Sequence, residues 1–214
     1  MRWNSQGIDP FISTCMGIVK EVDDLVKKMK ENVKKMQEMM NLWKKPIFER
    51  KNKPLAPEDV ENAHSSQLQP RFEDVKSQGK EIHKAIKDTA DAIKPDKKSE
   101  TWIAYVDYCN GLVIEGITKG IQCSMHYLSE QINIHYNKQN QLQPIFDIKV
   151  GLRDREVKFD PPIESCQRGN GIRDIILKIT NDFISLAIQM PRLDTGNGDY
   201  LVEIKDQFEL FGAL

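Results

Sequence analysis

The chain has 214 residues, of which 29% are charged and 39% hydrophobic, and its formal net charge is −1. This balance is typical of long amphipathic helices rather than of a thick globular core. A nearly neutral chain has no global field that would attract nucleic acid or an anionic membrane, so we expect neither partner. The four cysteines form no CxxC pair, which predicts reduced thiols in the cytoplasm.

The first predicted element is a helix from Ile18 to Trp43. Apolar residues recur in it at spacings of three and four, while lysines fill the opposite side. At about 1.5 Å per residue this helix would be about 40 Å long, so it needs partners along its whole length. We interpret its methionine stripe as core filling, with an adaptable binding face as the alternative. The stripe consists of Met29, Met36, Met39 and Met40.

Prolines and basic residues predict an exposed loop over residues 44–57, within a first helical segment that covers residues 1–95. Pro57, which two acidic residues follow, is typical of the first turn of a second helix. Pro70 should end or kink that helix, because proline lacks an amide donor. An apolar stripe of helical period then continues to Lys94.

The second segment, residues 96–214, opens with a helix predicted from Ser99 to about Tyr136. Three glycines lie inside it, and each costs roughly 1 kcal/mol relative to alanine. We interpret them as points of close contact with a neighbouring helix. They are Gly111, Gly116 and Gly120.

Two short alternating stretches predict a β-hairpin over residues 144–160, followed by an apolar helix over residues 171–190. We expect the apolar face of the hairpin to pack on that helix at Ile175, Ile179 and Phe183. Pro161 ends the hairpin and Pro191 ends the helix. The candidate structural or interaction residues are Phe146, Ile148, Val157, Phe159, Pro161, Pro191 and Arg192.

No catalytic, cofactor or metal site is predicted. Gly169-Asn170-Gly171 precedes a helix, where amide groups could hold an anion, but we interpret it as a simple turn. A cysteine and two histidines form the arrangement nearest to a metal site, although zinc sites generally use four ligands. They are Cys123, His126 and His135.

We predict that the chain neither binds nor hydrolyses ATP. It contains no GxxxxGK[ST] sequence, whose backbone amides and lysine would hold the phosphates. Calorimetry of the chain with Mg-ATP should give no binding isotherm. Saturable binding at micromolar affinity would contradict this prediction.

The predicted fold is mainly α, with elongated antiparallel helical bundles and one small inserted β-hairpin. The last residues are apolar and carry no helix cap, so we expect the polypeptide to continue and this piece to expose apolar surface. A structural role follows from these features. The alternative is a free-standing helical adaptor or tethering protein.

The stretch from Leu142 to Leu214 resembles the tail of dynein heavy chains. The hairpin PIFDIKVGLRDREVKFDPPI, the helix GIRDIILKITNDFISLA and the turn MPRLD match the order of elements in that family. Upstream, GITKGIQCSMHYL is similar to the helix that precedes them. The closing residues GDYLVEIKDQFELFGAL look most like axonemal outer-arm heavy chains of the gamma class.

This resemblance implies a parent protein that is an ATP-driven microtubule motor of motile cilia, with its nucleotide sites outside this chain. The implied partners are other segments of the same heavy chain, neighbouring heavy chains, and intermediate and light chains. Contact with the microtubule would be indirect only. The implied location is the cytoplasm and cytoskeleton, in the axoneme of a cilium.

Overall fold

A computed structural model describes residues 7–47, 56–132, 147–163, 171–190, 192–193, 200, 202 and 204–205. The helices are α1 Ile8–Trp43, α2 Pro57–Ala63, α3 Gln69–Ile93, α4 Glu100–Ile132 and α5 Ile172–Gln189. Strands β1 Lys149–Arg153 and β2 Glu156–Asp160 form one antiparallel hairpin. The predicted class, mainly α with a small hairpin, is therefore confirmed.

Several predicted features lie outside the described residues. They include Phe146, Pro191, His135, the pair Gly169-Asn170, most of the loop 44–57, the start of the hairpin and the last residues of the chain.

α1 runs antiparallel to α3. Asn32 near the middle of α1 donates to Thr89 Oγ1 (2.9 Å), and Trp43 at its end donates to Gln78 Oε1 (2.7 Å). Residue numbers thus rise along α1 while they fall along α3. The two helices bury a shared apolar face that continues onto α4 and α5.

α4 runs in the same direction as α1. Gln37 donates to Tyr108 Oη (3.3 Å), and Lys44 lies 2.9 Å from Glu115 further along both helices. α5 runs alongside α3 in the direction opposite to α4. The rings of Phe183 and Phe72 are 5.3 Å apart, and further along both helices Gly79 lies against Met190. The bundle therefore has α1 and α4 pointing one way and α3 and α5 the other.

The helical stretch formed by α2 and α3 starts and ends where the sequence predicts. Pro57 occupies the first turn of α2, and α3 ends at Ile93, just before Lys94 in a left-handed conformation (φ 47°). This helical stretch does not end at Pro70, because a π-helical turn over His64–Leu68 joins α2 to α3. The wider turn accommodates a residue that cannot donate an amide hydrogen bond.

Two of the three α4 glycines make the predicted close contacts. A Cβ atom on Gly120 would lie 2.8 Å from the carbonyl oxygen of Trp43, and one on Gly116 would lie 2.5 Å from Met40 Sδ. These glycines let α4 approach the end of α1. The prediction is wrong for Gly111, which is exposed and has nothing within 4 Å of that position.

The hairpin has the predicted alternation but not the predicted packing. Its register pairs Val150 with Phe159 and Leu152 with Val157, so these four side chains share one face. That face is 42–74% exposed, so the hairpin does not pack on α5 through it. The hairpin is instead joined to α5 through the main chain, because the amide of Ile172 donates to Pro162 O (3.0 Å).

The exposure of Phe159 changes the expected effect of its removal. A buried phenylalanine costs about 3–5 kcal/mol when replaced by alanine, whereas exposed positions are usually within about 0.5 kcal/mol. We therefore expect Phe159→Ala to leave the unfolding free energy of the 214-residue chain almost unchanged. Urea denaturation measures this, and a loss above 2 kcal/mol would show that the face is covered.

Candidate interaction surface on the first helix

The two halves of α1 have different surroundings. In the C-terminal half Met36, Met40 and Trp43 are only 1–2% exposed and belong to the core. In the N-terminal half, Ile8–Met29, every residue from Asp9 to Asp24 is exposed. We call Ile8–Met29 the bare half of α1. Its apolar side chains that are 41–69% exposed are Phe11, Ile12, Met16, Ile18, Val19, Val22 and Val26.

One apolar stripe runs through both halves with a strict seven-residue repeat. In heptad notation, with positions lettered a to g, the a positions of this stripe are Ile8, Cys15, Val22, Met29, Met36 and Trp43. Its d positions are Phe11, Ile18, Leu25, Asn32 and Met39, and its e positions are Ile12, Val19, Val26, Val33 and Met40. Apolar residues at a, d and e are typical of a helix that faces the core of a bundle. The bare half therefore carries a core-facing pattern without a core.

The bare half is uncovered because its partners stop. α3 ends at Ile93 and α4 begins at Glu100, and the contact between Asn32 and Thr89 places this connection level with the middle of α1. Beyond that level α1 continues for about 30 Å, at about 1.5 Å per residue. In proteins most of the stability of a helix comes from packing of its apolar face, which the bare half lacks. The surface therefore needs a partner that these helices do not supply.

The other end of α1 is held firmly at its exit from the core. The guanidinium of Arg71 donates to the carbonyl oxygens of Lys45 (2.5 Å) and Pro46 (3.0 Å), which follow α1 directly. Ser124 on α4 accepts from the amide of Ile47 (2.6 Å) and donates to Gly120 O (2.8 Å). Main-chain groups that would otherwise be unpaired at the end of α1 are thus bonded to both α3 and α4.

Charge supports the same junction at its surface. The ammonium of Lys44 lies 2.9 Å from Glu115 and, by its hydrogen bond and charge, lowers the pKa of that carboxyl. Both side chains are in contact with solvent, so the pair contributes little to stability. The pair of Lys44 and Glu115 helps to orient α1 against α4, which the buried groups already hold together.

A small polar cluster lies within the core between α1 and α4. Burial raises the pKa of Tyr105 to about 12 and that of Cys109 to about 11. With pKa values this high both groups stay neutral at ordinary pH, and the Cys109 side chain is also 0% exposed. A protonated, inaccessible thiol is unreactive, and Cys109 is therefore a packing residue.

Asn110 on α4 binds the chain that follows α5. Its Oδ1 accepts from the amide of Leu193 (3.2 Å) and from the hydroxyl of Tyr200 (2.8 Å). The guanidinium of Arg192 lies over the ring of Tyr200, 5.5 Å from its centre. Of the predicted candidate residues, Arg192 is thus held in a cation–π contact, and Pro161 and Ile148 are half-buried.

We expect acid to destabilise the bundle through His64. Burial lowers the pKa of this imidazole below its usual 6.5, and the carboxylate of Asp182, 3.1 Å away, opposes that effect only in part. The folded state then binds fewer protons than the unfolded state, so stability is lost as the pH falls below about 6.5. Urea denaturation at pH 7.5 and 5.5 measures the loss. His64→Gln should show a smaller pH dependence, and an unchanged one would exclude this cause.

The described residues contain neither a cluster of metal ligands nor a membrane-spanning helix. Among those residues no group of three or more histidine, cysteine or acidic side chains could hold a metal ion. Within the same ranges, no helix combines the length and apolar character of a membrane span.

The chain is similar over nearly all of its length to much longer proteins. It is 32% identical to the dynein beta chain of the flagellar outer arm from Chlamydomonas reinhardtii, across 100% of this chain and 5% of that protein. It is 27% identical to the ciliary dynein beta chain of Tripneustes gratilla and 26% identical to dynein axonemal heavy chain 9 of Homo sapiens. Each of those matches covers 92% of this chain and 4% of the relative.

No protein-family profile matches the chain. Two of the relatives named above are beta chains, whereas the last residues suggested the gamma class. Their names, flagellar, ciliary and axonemal, agree with the predicted location in a ciliary axoneme. The homologues of this chain are axonemal dynein heavy chains, and it corresponds to a segment that spans 4–5% of their length.

Proposed function

We propose that the chain is a non-catalytic structural segment in the tail of an axonemal dynein heavy chain, part of an ATP-driven microtubule motor of motile cilia. The observation that carries this proposal is the bare half of α1. Its seven-residue apolar repeat is the same one that the C-terminal half buries in the core. A surface of this kind belongs inside a larger assembly.

The junction at the end of α1 suits a role in transmitting force. Force along α1 would pass into α3 through Arg71 and into α4 through Ser124, because both side chains bind the main chain just after the helix. Trp43 anchors the same point through its buried ring and its bond to Gln78. The segment would thereby transmit force as a rigid unit.

The proposed partners are other segments of the same heavy chain, neighbouring heavy chains, and intermediate and light chains. The exposed apolar face of the hairpin is a second surface for such contacts. An isolated two-stranded hairpin is marginally stable at best, which favours a covered state in the assembly. No cofactor belongs to this role, and the microtubule would be reached only through the rest of the motor.

The size of the native protein tests this proposal. An antibody raised against the 214-residue chain should detect a band of several hundred kDa in isolated axonemes. A native band near 24.7 kDa would instead support a free-standing adaptor. That adaptor could not bind through the whole methionine stripe, because Met36 and Met40 are buried.

A further inference from the structure

We propose that two antiparallel helices of the same polypeptide, outside these 214 residues, cover the bare half of α1 and stack end to end on α3 and α4. This inference rests on the proposed function and names the partner of the same surface. It makes α1 a spine shared by two successive bundles.

The width of the stripe indicates two helices rather than one. In the C-terminal half the d side of the stripe faces α3, since Met39 lines a small cavity together with Ile82 of α3. The e side faces α4, since Met40 lies against Gly116. The bare half repeats the same d and e positions without a shift. Ile18 and Val19 should therefore face two different helices.

The same width argues against pairing with a second copy of this chain. A two-stranded coiled coil buries a seam of a and d positions. Such a pair would leave the e positions at the edge of the contact. These are Ile12, Val19 and Val26, all of them apolar and exposed.

The same polypeptide can supply the two covering helices, and the structure defines where they would lie. This chain spans only 4–5% of its heavy-chain relatives, so a polypeptide of that family has ample further sequence to supply two helices. The bare surface continues the face of α1 that packs on α3 and α4. It begins at the level of the connection between Ile93 and Glu100, where α3 ends and α4 begins. A second helical pair would meet the first at that level.

Site-specific photo-cross-linking in the complete heavy chain tests the inference. The probe is p-benzoylphenylalanine, placed in separate variants at Ile18, at Val19 and, as a matched control, at Lys20 on the opposite side of the helix. Cross-linked peptides are identified by mass spectrometry. Positions 18 and 19 should link to two different peptides of the same heavy chain, both outside residues 1–214, and position 20 should give neither.

Other outcomes overturn the inference in distinct ways. Links from both positions to one peptide would indicate a single covering helix. Links to another subunit or to a second copy would replace the intrachain pair by an intermolecular partner. Yields no higher than that of the Lys20 control would show that the stripe is uncovered. The first two outcomes leave the proposed function standing if the native band is still several hundred kDa. An uncovered stripe would also remove the observation that carries the proposed function.

Discussion

Trp43→Ala should cost the 214-residue chain about 3–5 kcal/mol of unfolding free energy, the range for emptying a buried aromatic site. The indole is 1% exposed and lies where α1 meets both α3 and α4. Its removal also leaves Gln78 without its 2.7 Å donor. Urea denaturation followed by circular dichroism measures the loss.

The matched control is Phe11→Ala, which removes an aromatic ring from the same helix in its bare half. That ring is 56% exposed, so its loss should change the unfolding free energy of the chain by about 0.5 kcal/mol or less. Similar losses for the two variants would show that α1 is buried evenly along its length. That result would contradict the division of α1 into two halves.

Gly120→Ala should destabilise the chain by about 1–3 kcal/mol, the usual cost of overpacking a core. The added methyl would meet the carbonyl oxygen of Trp43 at 2.8 Å, and main chain cannot move aside as a flexible side chain does. Thermal and urea denaturation both report this loss. Gly116→Ala should cost less, because it meets the adaptable side chain of Met40 first.

Gly111→Ala is the control for helix propensity. It lies in the same helix with nothing within 4 Å of the new methyl, so it should stabilise the chain by up to about 1 kcal/mol. If Gly120→Ala and Gly111→Ala both stabilise the chain, the contact between Gly120 and the end of α1 is not tight. If both destabilise it, the propensity argument fails.

The helices and their contact points could be predicted well because each has a local signal. A repeat of three and four residues marks α1, Pro57 marks the start of α2, and Lys94-Pro95 marks the end of α3. The glycine contacts were predictable as a class, because three glycines in one helix interior require a reason. Only the structure separates Gly120, which meets main chain, from the exposed Gly111.

α1 begins ten residues before its predicted start. The helix was predicted from Ile18, whereas it begins at Ile8. Pro10 lies in its first turn, where a missing amide costs little, and Gly17 is accommodated within the helix. The omitted residues continue the apolar repeat through Phe11 and Cys15, so the repeat itself was the better guide to the boundary.

The remaining differences arise from contacts that join distant parts of the chain. Arg71 binds carbonyl groups about 26 residues away, and Ser124 binds an amide 77 residues away, so neither bond has a local sequence pattern. Alternation places Val157 and Phe159 on one face of the hairpin but does not determine what covers that face. Periodicity likewise predicts that α1 needs partners without identifying them.

Hydrogen exchange of α1 in two contexts tests the central claim most directly. In the isolated 214-residue chain, the amides of the bare half should exchange fast while those near Met36 and Met40 are protected. In the complete heavy chain, both halves should be protected, because the bare half is then covered. Equally fast exchange of the bare half in the two contexts would contradict the claim that it is a buried surface of the assembled motor.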